Sequence, residues 1–429
     1  PARLVARSTH RSAFCQMHRH STPNIDGLAS RGVRFDSAYC SFPLCTPARA
    51  SMFTGFMPHQ TGVMRNEVSL SGDYRSTVVA HTLNKAGYRS LYGGKWHVPE
   101  LSIPDGQHGF DCICDFDDRR LVDSCIDFLG SAGTEPWFLT VSFDNPHNIC
   151  EWAREQRLPW GEVESAPVEG CPDLPANFAV PPYEPEVVQY GIDRVPRAYG
   201  DRNSSSPDWW RTYRNAYYRL VEKVDDEIGR MLAFMEEESL LENTVVIFTS
   251  DHGESLGAHR CRQKTFLYEE AVRVPLIVRA DSMVSHPGSR SDRLVSVGID
   301  LVPSLCELAG LAPSRSLPGN SFIPALQGMN RDENDRRFVV TETGFADDSI
   351  QGRMLRTRRY KYSLYNWGRY REQLIDLEQD PGEMVNLSRN VRYHAILTEH
   401  RELLREWIRE TGDPFGRNYA NPETERMPC

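Results

Sequence analysis

The sequence predicts an α/β protein whose mostly parallel sheet is flanked by helices on both faces. Apolar runs of strand length alternate along the chain with longer stretches of helical periodicity. The clearest segments are strands at 136–143, 244–249 and 274–278, and helices at 76–86, 213–238 and 299–309. The strand runs are continuously apolar, as expected when both faces of a parallel sheet are covered. Strands that alternate with helices of this length give a layered architecture.

The C-terminal part of the chain has a different character. Residues 337–343 and 353–365 have strand patterns, and residues 393–410 form an amphipathic helical pattern. We therefore expect an α/β domain at 1–335 and a smaller α+β subdomain at 336–429. Residues 151–207 are rich in proline, serine and glycine. This composition predicts a long irregular insertion in the first domain, and such insertions often shape a binding cleft.

Composition narrows the class of protein. With 429 residues, 40% of them hydrophobic, the chain can bury a substantial core in two or three domains. Its formal net charge of −10 gives no basic field for a nucleic-acid partner. No apolar run approaches the roughly 20 residues that span a bilayer. The eleven cysteines show no zinc-ribbon spacing, since Cys112 and Cys114 are too close for a usual zinc pair. These features favour a large enzyme.

The segment Cys-Thr-Pro-Ala-Arg at 45–49 places a cysteine, a helix-start proline and an arginine close together. Pro47 lacks an amide hydrogen and has a preset φ, so it suits the first turn of a helix that Gly55 can end. Cys45 then lies at the positive N-terminal end, and Arg49 lies one turn further on, within reach of the same anion. Taken alone, the cysteine could equally be a buried structural residue.

The surrounding sequence resembles the signature of the type I sulfatases, in particular bacterial arylsulfatases and polysaccharide sulfatases. The resemblance is carried by residues 45–51, 54–55 and 58–59, with 22–26 and 32–35 upstream. It implies an alkaline-phosphatase-like sheet followed by a small C-terminal antiparallel sheet with one long helix. It also implies that a formylglycine-generating enzyme oxidises Cys45 to formylglycine, whose hydrated aldehyde is the nucleophile.

A second cluster, Asp251 and His252, follows the predicted strand at 244–249. Functional groups gather at the carboxyl ends of strands in open α/β sheets. Asp251 offers a hard oxygen for a divalent cation, and His252 offers a ligand nitrogen or a hydrogen bond. An isolated Asp-His-Gly would more often be a helix cap and a polar turn. The resemblance implies instead that Cys45, Asp251 and His252 hold a divalent metal, calcium in most relatives, and that Lys264 binds the substrate.

Three further residues complete the candidate site. Lys95 and His97 follow a predicted strand and alternate along an extended segment, so both can face one side. His147 follows another strand end. On spacing alone, a solvated lysine and packed histidines would be the more frequent outcome. The resemblance implies that Lys95 and His97 contact the formylglycine and that His147 lies near the leaving-group oxygen.

The resemblance implies one reaction, the hydrolysis of a sulfuric ester of a carbohydrate or small molecule. Arg49, Lys95 and Lys264 offset the charge that develops on the sulfuryl oxygens. His147 or Lys264 protonates the departing alkoxide, and His97 takes the proton from the second geminal hydroxyl. Covalent catalysis of this kind divides one difficult displacement into two easier steps. A formylglycine-dependent phosphonate monoester or phosphodiester hydrolase, which shares motif and fold, is the alternative enzyme.

The sequence departs from the family at its start. Type I sulfatases end their first strand in aspartates that bind the metal, but no Asp or Glu occurs here before Asp26. The expected ligand position falls at about Arg7 or Ser8, and residues 9–11 resemble the tail of the element. Because calcium takes six to eight oxygens, this predicts a truncated or altered start, or a non-catalytic relative. If a signal peptide is missing from this chain, the protein is periplasmic or secreted.

Overall fold

A computed structural model describes residues 21–99, 108–194, 205–328, 336–345 and 349–415, together with the backbone of residues 3–8. The strands are β1 Arg3–Ser8, β2 Val33–Tyr39, β3 Arg89–Gly94, β4 Asp111–Cys114, β5 Trp137–Ser142, β6 Thr244–Thr249, β7 Leu276–Arg279, β8 Ser289–Ser296, β9 Val339–Gly344, β10 Gln351–Arg356, β11 Tyr360–Tyr365 and β12 Glu372–Asp376.

The helices lie between these strands and after them. They are α1 Pro23–Arg31, α2 Cys45–Thr54, α3 Pro58–Thr61, α4 Gly72–Arg75, α5 Val79–Lys85, α6 Asp118–Ser131, α7 Ile149–Trp152, α8 Glu186–Arg194, α9 Pro207–Glu237, α10 Glu269–Val272, α11 Val297–Leu308 and α12 His394–Thr411. No helix of the described ranges is long and apolar enough to cross a membrane. The helix predicted at 76–86 is shorter than expected, because residues 76–78 form the turn between α4 and α5.

The first eight strands form one sheet in the order β4-β3-β5-β1-β6-β7-β2-β8. All neighbours are parallel except at β7, which runs antiparallel to both β6 and β2. The predicted mostly parallel sheet is therefore confirmed, with β7 as the exception. The remaining strands form a separate antiparallel sheet in the order β12-β11-β10-β9, as expected for the C-terminal part. The boundary at 335/336 stays a prediction, as does the extent of the insertion at 151–207.

The large sheet separates two hydrophobic cores. In β6, Val245 and Ile247 belong to the core that includes α2, α5 and α11, whereas Val246 and Phe248 belong to the core that includes α1, α6 and α9. Successive side chains of a strand point to opposite faces, so a strand covered on both sides must be apolar throughout. This explains why the strand predicted at 244–249 has the same first and last residues as β6.

The central strands end at one edge of the sheet. The backbone of Ser8 lies beside Ser142 on one side and Thr249 on the other, and Gly94 also pairs with Ser142. The segments after β3, β5 and β6 therefore start from neighbouring points. The metal-ligand position expected at Arg7 or Ser8 falls at this same edge, although residues 9–11 lie outside the described residues.

The C-terminal sheet is hydrogen-bonded to the segment that leads into α2. The Glu342 amide donates to the Ser41 carbonyl at 2.9 Å, and the Thr341 hydroxyl donates to the Cys40 carbonyl at 2.7 Å. The Thr343 hydroxyl donates to the carbonyl of Thr265 at 2.5 Å. Strand β9 thus supports both the start of the helix that carries Cys45 and the segment next to Lys264.

A buried ionic network holds the same junction. The Nδ1 of His59 lies 2.5 Å from Glu342 Oε1, and the His59 amide donates to the other oxygen. Arg353 binds Asp413 through two hydrogen bonds of 2.6 and 2.9 Å and lies 3.8 Å from Glu342. Burial lowers the pKa of His59, but the charge and the hydrogen bond of Glu342 raise it further, to above its ordinary value.

This network predicts a pH-dependent stability. Because the folded pKa of His59 is raised, its contribution is complete below the unfolded pKa of about 6.5 and is lost as pH rises through the folded pKa. The thermal unfolding midpoint should therefore fall as pH rises from the unfolded pKa to the folded pKa of His59. The His59→Gln protein should lack this part of the pH dependence. His394→Gln, at an exposed position of α12, is the control. The same pH dependence in the His59→Gln protein would contradict the assignment.

Candidate active site

Helix α2 begins at Cys45 and ends at Thr54, with Gly55 in the left-handed conformation at φ 77°. Proline in the first turn and a glycine cap give these limits, as the sequence predicts. The Cys45 side chain is fully buried, and its Sγ lies 3.3 Å from His252 Nε2 and 3.4 Å from Lys264 Nζ. The structure therefore brings together residues that are more than 200 positions apart in the sequence.

The surroundings of Cys45 favour a negative charge at its Sγ. Burial by itself raises the pKa of the thiol, but the charges of Lys264 and Lys95, together with His252, lower it well below its ordinary value. The pKa of Lys264 is shifted in the complementary direction: burial lowers it, and the Cys45 thiolate raises it more. An anionic group at position 45 is thus held by two lysines at the start of a helix.

The hydrogen bonds of His252 fix which of its ring nitrogens faces Cys45. Nδ1 lies 2.9 Å from the carbonyl oxygen of Gly253, which can only accept, so Nδ1 carries the proton. Nε2 then donates to the Cys45 thiolate when the ring is charged, and it offers a lone pair to a cation when the ring is neutral. Asp251 is oriented beside it, since Oδ1 accepts from the His252 amide and Oδ2 accepts from Arg49 Nε at 3.0 Å.

Cys45, Asp251 and His252 can supply one side of a metal site. Their candidate ligand atoms all lie within 4.8 Å of one another. A lone-pair nitrogen, a carboxylate and the group at position 45 are suitable donors for a divalent cation. The cluster includes only one carboxylate, and calcium takes six to eight oxygens, so further ligands are required for that ion.

Arg49 is buried and connects the carboxyl ends of three strands through its hydrogen bonds. Besides Asp251, it donates from Nη1 to the Lys95 carbonyl at 2.8 Å and to the Ser142 hydroxyl at 2.9 Å. Its side chain therefore connects α2 to the segments after β3, β5 and β6. In this arrangement Arg49 positions Asp251 as well as contributing positive charge next to Cys45.

Lys95, His97 and His147 line a cavity of about 830 Å³ at this edge. Lys95 Nζ lies 3.1 Å from Asp144 Oδ1, and His147 Nδ1 lies 3.9 Å from the same oxygen. His97 reaches the cavity differently from the prediction. Strand β3 ends at Gly94 and His97 adopts a left-handed φ of 54°, so a turn, not alternation along a strand, places it there.

The side chain of Thr46, the residue after Cys45, holds the backbone of His97. The His97 carbonyl accepts a 2.9 Å hydrogen bond from the Thr46 hydroxyl. The Nδ1 of His97 is buried and has no hydrogen-bond partner among the described residues. Leaving a buried polar atom unpaired costs about 1–3 kcal/mol, so this nitrogen gains from a bond to a bound group.

Sequence reasoning missed Asp118, the first residue of α6. Its side chain is buried, and its two oxygens accept hydrogen bonds from the backbone amides of Asp144 and Asn145 at 2.9 and 2.8 Å. Burial raises the pKa of Asp118 to about 7 although these two hydrogen bonds lower it. The carboxylate braces the turn that carries Asp144 and His147, and only its position at a helix start could have indicated a role.

We expect Asp118→Asn to lower kcat/KM by about 10²-fold, since an amide group would repel one of the two backbone donors and shift the turn. The effect should fall mainly on kcat, and the unfolding midpoint should change little. Asp123→Asn, at an exposed position of the same helix, is the control. Steady-state kinetics of both variants measure the effect. A kcat equal to that of the parent in Asp118→Asn would show that Asp118 does not position this turn for catalysis.

The comparisons with known proteins agree with this geometry. The chain matches the sulfatase family over residues 8–311 and the C-terminal region of N-sulphoglucosamine sulphohydrolase over residues 257–410. It is 31% identical to the Δ4,5-hexuronate-2-O-sulfatase of Bacteroides thetaiotaomicron, over 91% of this chain and 84% of the relative. It is 28% identical to an N-acetylglucosamine-6-O-sulfatase of the same species, over 91% and 82% of the two chains.

Solved structures show the same fold. A 2-O GAG sulfatase, BT1596, superposes with a TM-score of 0.83 at 28% identity, covering 97% of this chain and 93% of the other. The phosphonate monoester hydrolase of Agrobacterium radiobacter superposes with a TM-score of 0.80 at 21% identity, covering 96% of each chain. The sheet and the site define an alkaline-phosphatase-like hydrolase. Within that class, the chain belongs to the sulfatase family and is a sulfuric ester hydrolase.

Proposed function

We propose that this chain hydrolyses a sulfuric ester of a carbohydrate, with the hydrated formylglycine made from Cys45 as its nucleophile. The observation that carries the proposal is the position of Cys45, at the start of α2 and within 3.4 Å of both His252 Nε2 and Lys264 Nζ. Relatives named for sulfatase activity on hexuronate and N-acetylglucosamine support a carbohydrate ester.

The charges around position 45 suit an anionic ester. Lys95 and Lys264 lower the pKa of the Cys45 thiol, so their charges should also stabilise the charge that gathers on the sulfuryl oxygens in the transition state. Arg49 is fixed by Asp251 and Ser142 and does not have to reorganise during the reaction. Pre-formed positive charge in a water-poor site is the largest general source of such catalysis.

The proton transfers are assigned to His97 and His147 on the cavity wall and to Lys264 beside Cys45. His147 or Lys264 protonates the alkoxide as the bond between sulfur and the alcohol oxygen breaks. His97, whose Nδ1 is buried without a partner among the described residues, accepts the proton of the second hydroxyl at position 45 when sulfate leaves. The aldehyde is thereby restored, and addition of one water regenerates its hydrate. The acid recovers the proton that it gave to the alkoxide from the attacking hydroxyl, and His97 releases its proton to solvent.

Asp251, His252 and the modified residue 45 would hold a divalent cation, for which calcium is the expected ion. When bound, the cation polarises the sulfuryl oxygens. Asp251 is turned toward this place by its hydrogen bonds to Arg49 and to the His252 amide.

Co-expression with a formylglycine-generating enzyme tests the proposal. We expect purified protein to hydrolyse 4-nitrophenyl sulfate and N-acetylglucosamine 6-sulfate. Parallel assays with an aryl phosphonate and an aryl phosphodiester test the alternative hydrolase. Faster turnover of the phosphonate would favour that alternative. With residue 45 fully converted, absence of turnover on every substrate would favour the non-catalytic alternative.

A further inference from the structure

The cavity beyond the reactive edge has an aromatic and acidic wall. Of its lining residues, Trp96, Phe116 and Trp160 are aromatic, and Asp115, Asp144 and Glu151 are acidic. Its volume of about 830 Å³ is enough for a sugar ring and its substituents. None of the reaction steps assigned above uses Asn148, Glu151 or Trp160.

The fixed charge on this wall is negative. The ammonium group of Lys95 is matched by Asp144 at 3.1 Å, which leaves Asp115 and Glu151 as the other carboxylates of the described lining. Glu151 Oε1 lies 3.9 Å from Arg154 Nη1, but this long, partly exposed ion pair compensates the carboxylate only weakly. The guanidinium of Arg119 lies over the Trp160 ring at 5.7 Å, but it is neutralised by two hydrogen bonds to Asp117 of 2.9 and 2.7 Å.

Two polar side chains on the wall have hydrogen-bonding atoms that the described protein does not satisfy. Asn148 is 1% exposed, and both its Oδ1 and its Nδ2 lack a hydrogen-bond partner among the described residues. In the same part of the chain, Glu151 Oε2 is also buried without a partner. Leaving a buried polar group unpaired costs about 1–3 kcal/mol, so such groups mark a place where a ligand completes the bonding.

The Trp160 ring is held in place at the same wall. Its Nε1 donates to Asp144 Oδ2 at 3.0 Å, and the ring meets the edge of Phe116 at a centroid distance of 5.5 Å and an angle of 71°. A fixed indole face suits the apolar C–H face of a sugar ring. Asp144 thus positions both Lys95 on the sulfuryl side and Trp160 on the cavity side.

We propose that Asn148, Glu151 and Trp160 bind the alcohol part of the ester, and that this part is a neutral or amino-bearing sugar, not a uronate. The assignment rests on the proposed sulfatase reaction. Glu151 can only accept, so it requires hydroxyl or ammonium donors, whereas Asn148 binds a hydroxyl as donor and acceptor. A uronate carboxylate would face Glu151 and Asp115, and like charges at short range repel.

Two matched substrate pairs test this specificity. Glucose 2-sulfate and glucuronate 2-sulfate differ only at the C6 carboxylate, and glucose 6-sulfate and glucosamine 6-sulfate differ only at the amino group. We expect kcat/KM for the neutral sugar to exceed that for the uronate by at least about tenfold, and glucosamine to be accepted as well as glucose. Glu151→Gln should reduce the ratio of kcat/KM between the neutral sugar and the uronate about tenfold. Glu155→Gln, at an exposed position, should leave this ratio unchanged.

A variant of Asn148 offers a second test, which distinguishes a role in sugar binding from a role in the fold. Asn148→Leu removes two unsatisfied buried atoms, so the unfolding midpoint should stay the same or rise. The KM for the neutral sugar sulfate should nevertheless rise about tenfold. A fall in stability with unchanged KM would show that Asn148 serves the fold and would overturn its place in the proposal.

Binding separates this proposal from the reaction on which it rests. Titration calorimetry of the four sugar sulfates with the Cys45→Ala protein measures the preference without turnover. If the Cys45→Ala protein, which keeps Glu151, binds the neutral sugar sulfates more tightly than the uronate, the sugar assignment stands. If the mature protein then hydrolyses none of them, the reaction proposal fails. If the uronate binds best, if Glu151→Gln has no effect on the ratio, or if no sugar sulfate binds, the sugar assignment is wrong.

Discussion

Cys45→Ala is expected to abolish sulfate ester hydrolysis, with a loss of roughly 10³-fold or more, because it removes the proposed nucleophile. The parent, co-expressed with the formylglycine-generating enzyme, should release 4-nitrophenol from 4-nitrophenyl sulfate. Peptide mass spectrometry should find the aldehyde at position 45. Parent protein that keeps an unmodified thiol should be inactive, because the aldehyde hydrate and not the thiol is the nucleophile.

Cys40→Ala is the matched control for this experiment. Cys40 is also buried, five residues before Cys45, but burial and the nearby Asp251 raise the pKa of its thiol, whereas the pKa of Cys45 is lowered. Cys40 should remain a thiol in the mature protein, and its alanine variant should stay active. Turnover in Cys45→Ala, or in parent protein without the aldehyde, would refute the mechanism.

Asp251→Asn is expected to have the second largest effect, a loss of at least about 10²-fold in kcat/KM together with loss of the divalent cation. Asparagine keeps an oxygen that can accept from Arg49 Nε, while it removes the ligand charge. Alanine would remove this acceptor as well as the charge, and breaking a buried ion pair completely costs about 3–5 kcal/mol, which would confuse stability with metal binding.

Metal content by plasma mass spectrometry and aryl sulfate hydrolysis measure the two effects separately. Asp127→Asn, on the exposed side of α6, serves as control and should change neither. If Asp251→Asn retains the parent's metal content, the cation is held elsewhere. If metal is lost and the rate is unchanged, the cation has no part in the reaction.

The sequence predicts those parts of the fold that local chemistry determines. The strand at 244–249 is confirmed to the residue because both of its faces are buried, and helix α2 ends just before Gly55 as the glycine predicts. The direction of β7 could not be predicted, because an apolar run at 274–278 is the same in a parallel and an antiparallel strand. Sheet order depends on contacts between distant segments, which no local pattern records.

The candidate site shows the same division. Cys45, Asp251 and His252 are adjacent in the structure, as the motif resemblance implies, although their roles stay predictions. Asp118 was missed because an acidic residue at a helix start usually caps that helix, whereas here it binds the amides of another segment 26 residues away. Asn148 was missed because only the folded cavity shows that its amide is unsatisfied.

The burial of Cys45 also places a limit on timing. Strand β9, which fastens the segment before Cys45, begins at Val339, about 300 residues later in the chain. At 5–20 residues per second, a ribosome reaches that strand roughly 15–60 s after it has made Cys45. If Cys45 is matured as proposed, an enzyme that acts on the unfolded chain has this interval before β9 fastens the segment next to the cysteine. Slower translation should then raise the fraction of chains that carry the aldehyde.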